Sequence, residues 1–263
     1  MANTSVKSIP ITENEYVKQL MAVLQKNNAP SKKDFIAVIG HVTAMENQLE
    51  QMIAELQAMR RDLAEAQRQN HPVRHALQKA VIVMQAQISE LRKNLTALKE
   101  NIIDGCKNAL AAFKEKGISA LDNIARFFKV KPVLEAIHTG ADKAAKSADK
   151  TIANIEAASA KYHEAGRRVK NAGRALSGKE AIQEAKPSGK VTKAFTAPAR
   201  AVRSCFKGIR NNAVAAVGKL RRLEERAAEK KQSINDTLKE CNELVKQAEK
   251  ERKTPTRTRA AER

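Results

Sequence analysis

Gly173-Arg-Ala-Leu-Ser-Gly178-Lys179 has most of the spacing of a phosphate-binding loop. In such a loop the glycines bring backbone N–H groups to phosphate oxygens, and a Ser or Thr after the lysine holds magnesium. Here Glu180 follows Lys179, and the preceding Arg167–Lys170 stretch reads as helix rather than strand. The run is expected to be a glycine-containing helix C-terminus. His71 and His75 stand four apart, the spacing of two zinc ligands on one helix face. The glutamate that would follow as general base is missing and no cysteine is near, so a polar hairpin tip is expected. Cys106, Cys205 and Cys241 show no metal-ligand spacing, and two of them fall on apolar seams, as buried small hydrophobes do. No nucleophile stands beside a base. The expected protein is no enzyme and takes no cofactor or metal.

The charges carry more information. The chain has 49 Lys and Arg against 29 Asp and Glu, a net charge of +20. Residues 1–70 balance at eight of each sign, whereas residues 161–222 hold sixteen bases and three acids. From Ala185 to Leu223 there are ten bases and no acid. Arg200, Arg203, Lys207 and Arg210 recur at helical spacing, and Arg221 returns to the same side. Arg167, Lys170 and Arg174 make a shorter stripe, with Lys193 between the two. Stripes of this kind neutralise phosphates without reading bases. The alternative is a solvated face that keeps a basic protein soluble.

These residues need long helices to carry them. Of 263 residues 44 are Ala, only ten are Gly, and aromatics make up 3 %, with no Trp. That composition opposes sheets and suits helices. A short helix is expected within residues 1–30, capped by Thr12 with Glu15 three residues on. From Ser31, taken as the next cap, a helix carries Val42, Met45, Leu49, Met52, Leu56, Met59, Leu63 and Ala66 at alternating spacings of three and four. A third carries Leu77, Val81, Met84, Ile88, Leu91, Leu95, Leu98, Ile102, Cys106, Ala109 and Phe113. Such seams are coiled-coil a and d positions and need a partner helix. The expectation is an antiparallel hairpin over 31–116, turning at His71-Pro72. A kinked continuous helix, and a parallel dimer through the Val42–Ala66 and Leu77–Phe113 seams, are its rivals. Residues 117–176 give a short helix from Ser119 to Lys129 and an Ala-rich helix from Pro132. The second is seamed by Ile137, Ala141, Ala144, Ala148, Ile152, Ile155, Tyr162, Val169 and Gly173. Residues 177–190 read as a linker and 253–263 as a disordered tail. Between them the helix 191–252, with Pro198 as a kink point, runs its seam from Val202, Phe206 and Ile209 on to Leu238, Cys241 and Val245. The fold class is all-α, an elongated long-helix bundle.

Several short runs also resemble one family. They are Asn14–Val17, Ala44–Glu46, Met59–Arg61, His71–Val73, Gly105–Ala109, Ala120–Asn123 into Arg126–Phe128, and Tyr162–Gly166. The sequence is similar to an uncharacterised family of helical, coiled-coil-like proteins of Clostridia-type Firmicutes, often found on conjugative or other mobile elements. The resemblance covers most of the chain up to the tail. It implies a bacterial cytoplasm and a mobile-DNA setting, and it brings no catalytic residues.

No apolar run approaches the ~20 residues of a membrane span, and the start lacks the apolar core of a signal peptide. A cytoplasmic, non-enzymatic scaffold is expected, contacting nucleic-acid backbone through its basic region. One alternative is a purely structural coiled-coil partner. The other is an amphipathic helix over 191–221 lying on an anionic membrane through Phe195, Val202, Phe206 and Ile209.

Overall fold

The computed structural model describes residues 9–68, 73–183 and 190–253. Five α-helices account for most of them: α1 (Glu15–Lys26), α2 (Lys32–Arg68), α3 (Arg74–Lys116), α4 (Lys131–Leu176) and α5 (Lys190–Lys253). Two 3-10 segments, Ile11–Glu13 and Gly117–Phe127, precede α1 and α4. No strand occurs among the described residues.

The expected α2 and α3 seams are buried, apart from Leu63 and Phe113, which are half-buried. Val42, Met45, Met52, Met59, Leu77, Met84 and Leu98 have no accessible surface. Their partners lie within the chain. Arg60 donates to the Gln85 side chain at 2.8 Å, and Lys99 pairs with Glu46. Both pairs are centred on residues 72–73, so α2 and α3 run antiparallel. His71-Pro72 itself lies outside the described residues. α4 returns along α3, α5 returns along α4, and α5 also packs on α2. The ring so closed is an up-down-up-down four-helix bundle. The Val42–Ala66 and Leu77–Phe113 seams are thus packed within one chain.

Several local expectations are corrected. Asn14, not Thr12, caps α1: its side chain accepts from the Tyr16 N–H at 3.1 Å, while residues 11–13 form the 3-10 turn. Ser31 does open α2, its carbonyl accepting the Phe35 N–H at 3.0 Å, but its hydroxyl donates to the Leu121 carbonyl. The short helix expected at 119–129 is a 3-10 segment. Gly117, at φ +62°, ends α3. Leu121, Ile124 and Phe127 then recur every third residue, the spacing that stacks side chains along a 3-10 helix. Phe128 follows and stacks on Phe35 with ring centroids 5.4 Å apart. Its ring also lies over Gly105, where a Cβ would overlap it.

The two long helices outrun the bundle at opposite ends. α4 is buried as far as Ser159, beyond which Tyr162, Val169 and Leu176 are exposed. The α2–α3 hairpin has ended by then and no longer covers that seam. α5 runs unbroken through the buried Pro198 and is buried to Leu223. Leu238, Leu244 and Val245 are then exposed, because α5 has passed Pro30, the start of α2. The expected seam thus stops about four turns early on α4 and at Leu223 on α5.

Two outcomes follow from this packing. Spin labels at Gln51 and Lys93, which lie level with each other on the two exposed sides of the hairpin, are expected within ~25 Å. A continuous helix would hold them ~60 Å apart from its rise alone. Leu56→Ala is expected to lower the urea-unfolding free energy by ~2–5 kcal/mol. A loss below ~0.5 kcal/mol would contradict a load on this seam.

Candidate polyanion-binding surface

The basic stripe of α5 forms because an acid-free helix segment crosses the bundle with its apolar face inward. Val202, Phe206 and Ile209 are fully or almost fully buried, and the bases flank them. The burial also removes the face that a membrane-surface helix would need.

The flank facing α4 is not open. Arg203 meets Asp149 at 2.9 Å, Arg210 meets Asp142 at 3.1 Å, and Arg200 meets Glu156. Lys146 adds a second cation to Asp142 at 2.7 Å. Hydrogen bonds from Lys146 and then Arg210 hold the Asp142 carboxyl below the usual carboxylate range. The acids missing from 185–223 are supplied by the neighbouring helix. Asp142, Asp149 and Glu156 stand seven residues apart along α4 and present one carboxylate to α5 every second turn. That heptad of acids was the signal in the sequence that identifies the partners of these arginines.

The remaining candidates are placed differently. Lys193 and Arg221 are exposed and Lys207 is half-buried; none has a carboxylate at ion-pair distance among the described residues. Arg167, Lys170 and Arg174 lie on the part of α4 that overhangs the bundle. Residues 177–183 fold back along this overhang. Asn171 clamps Ile182, donating to its carbonyl at 3.1 Å and accepting its N–H at 2.8 Å. Arg167 and Arg174 donate to the carbonyls of Gln183 and Glu180. Those bonds orient the two guanidinium groups without cancelling their charge. Lys170 is exposed between them. Arg168, by contrast, is paired with Glu164.

The phosphate-loop-like run is the end of α4. Gly178 has φ +64°, and the N–H groups of Gly178 and Lys179 turn back to the carbonyls of Ala175 and Arg174. They are spent on the helix and point at no ligand. His75 is exposed, while His71 lies outside the described residues. Cys106 is buried on α3, its thiol pushed up to about 12 by burial. Cys205 is buried on α5 and is raised by burial and by the charge of Glu55. Cys241 is exposed on the far part of α5. Among the described residues no three His, Cys, Asp or Glu gather as metal ligands, and no helix is long and apolar enough to cross a membrane.

Fold and surface together define an all-α, long-helix bundle protein with a strongly basic half. The chain belongs to the family of unknown function DUF6674, whose model matches residues 13–262. No curated protein and no solved structure matches it.

The ion-pair row has a pH signature. Asp142 has a depressed folded pKa, so its contribution to stability is complete above the unfolded carboxylate value and is lost as pH falls through the folded one. Thermal melts at pH 7 are expected to place the unmodified protein above Asp142→Asn. The gap should close in the acid range below pH ~3.9.

Proposed function

We propose that the protein is a non-enzymatic helical scaffold of the bacterial cytoplasm, working in a mobile-DNA setting, that contacts nucleic-acid backbone without reading sequence. One observation carries this reading. The overhang of α4 and the start of α5 bring Arg167, Lys170, Arg174 and Lys193 to one end of the bundle in a chain whose net charge is +20. No described carboxylate pairs with any of the four. Lys207 and Arg221 extend the same positive field along α5. Arg200, Arg203 and Arg210 serve mainly to join α5 to α4, and their charge is largely offset by Glu156, Asp149 and Asp142. Aromatic side chains that would stack on single-stranded bases are scarce, which favours backbone contact.

The salt dependence of duplex DNA binding tests it. Each neutralised phosphate contributes about 0.9 to the log–log slope. Replacing Arg167, Lys170, Arg174 and Lys193 by Gln is expected to flatten the slope by about 3 units and leave helicity intact, because Gln is nearly as good a helix former. Replacing Lys230, Lys231, Lys239 and Lys246 removes the same charge from a sign-mixed segment and should change the slope by less than about 1 unit. Equal weakening by the two sets, or no binding at ~50 mM salt, defeats the reading.

A further inference from the structure

The overhang of α4 carries a covered stripe that is polar. From Ala160 to Gln183 every residue is exposed except Arg167, Asn171 and Arg174, which are half-buried. They fall at spacings of four and three, on one face of the helix. Val169 and Leu176 in the same stretch are exposed. A surface helix that packs on a core has these assignments reversed.

The cover over this stripe is main chain. Gly178, at φ +64°, turns the chain back at the end of α4. Asn171 receives the returning segment with both halves of its amide. Its Nδ2 donates to the Ile182 carbonyl at 3.1 Å, and its Oδ1 accepts the Ile182 N–H at 2.8 Å. One side chain thus satisfies both backbone groups of a single residue, as a neighbouring β-strand does. Asn is a poor choice inside a helix because its amide competes for backbone groups. Here that amide is spent on a residue eleven positions further on.

With Ile182 held, the carbonyls on either side of it meet two guanidinium groups. Arg167 donates from Nη1 to the Gln183 carbonyl at 2.7 Å, and Arg174 from Nε to the Glu180 carbonyl at 2.6 Å. A free arginine samples many rotamers and loses them when it meets a ligand. These two are held beforehand. Each bond uses one nitrogen of a fork that carries five N–H donors. A carbonyl also leaves the positive charge in place. Arg200, Arg203 and Arg210 on α5 are held by carboxylates instead, which fix the side chain and offset its charge together. Arg167 and Arg174 stand two turns apart, about 10 Å along the axis, with Lys170 between them. That separation suits a ligand with repeated phosphates, each of which a guanidinium fork can grip.

We infer, on the reading of this overhang as the nucleic-acid surface, that Asn171 is a positioning residue. By pinning Ile182 it fixes the Gln183 and Glu180 carbonyls, and through them it orients Arg167 and Arg174 for the phosphates of a nucleic-acid backbone.

Binding of a DNA duplex of arbitrary sequence to the full chain tests this. Asn171→Ala keeps every charge and favours helix, so the log–log salt slope is expected to stay within about 0.5 unit of the unmodified protein's. Affinity at ~100 mM salt is expected to fall about fivefold or more, because two arginines must then be ordered by the ligand. The Ile182 amide is expected to exchange its hydrogen faster in the variant than in the unmodified protein. The thermal transition of the bundle should not move, since the overhang lies beyond the buried part of α4. A double-mutant cycle separates positioning from a general disturbance. In an Arg167→Gln, Arg174→Gln background, Asn171→Ala is expected to change affinity by less than about twofold. Unaltered affinity of Asn171→Ala, an equal loss in the double-Gln background, or equal exchange at Ile182 overturns the positioning role. If the unmodified protein still binds DNA, the proposed function then stands. Absence of binding by the unmodified protein at ~50 mM salt overturns both.

Discussion

Burial of one face of α5 against α2 and α4 at once is the contact that closes the molecule. Hairpins α2–α3 and α4–α5 are local, but only the α2–α5 contact turns two hairpins into a ring. It is made by apolar residues from Ala199 to Leu223 and framed by polar contacts of limited reach. Asn212 lies 3.0 Å from the His41 ring, and Arg226 and Lys219 converge on the buried Asp34. Arg226 sits 2.8 Å from one oxygen of that carboxylate while its hydrogen bond goes to Pro30, so the oxygen is paired by charge rather than by an aligned donor. A carboxylate this buried is tolerated because two cations and the first turn of α2 surround it. It fixes the point at which α5 leaves the bundle.

The α4–α5 contact uses a different chemistry. Its apolar side is built from Ala141, Ala144, Ala145 and Ala148, which remove little surface from water per turn. The row of arginine–carboxylate pairs runs alongside. Each such pair is half-exposed and worth little alone. As a series in heptad register they fix how the two helices slide past each other, which a smooth alanine surface cannot do.

Large apolar residues made the α2 and α3 seams legible in the sequence, since Met, Leu and Ile at alternating threes and fours have few other uses. The α5 stripe was harder. Arg200, Arg203 and Arg210 look unpartnered within their own helix, and only the neighbour chosen by the fold shows them facing Glu156, Asp149 and Asp142. The seams of α4 and α5 continue in sequence past their partners. Val169 and Leu238 keep the period, but the length of the opposing helices decides where burial stops. The 3-10 path of Gly117–Phe127 depended on a turn at positive φ and on Phe128 seating over Gly105, neither of which a helical period reveals. The phosphate-loop-like run, in contrast, could be set aside from sequence, because it lacked a strand before it and a hydroxyl after it.

Closing the ring with the last helix also sets an order on assembly. Asn212 and His41 meet across 171 residues of chain. At the ~5–20 residues per second of synthesis, His41 leaves the ribosome roughly 9–34 s before Asn212. For that interval the α2 face around His41 and Gln48 that α5 will cover lacks its final helix. An emerging chain therefore carries an unfilled apolar groove until its final helix appears, and that helix, with 17 Lys and Arg against eight Asp and Glu, has the largest net positive charge of the five. Truncated products ending before residue 190 would keep the groove and about half of the net charge that opposes their aggregation, +9 in place of +20.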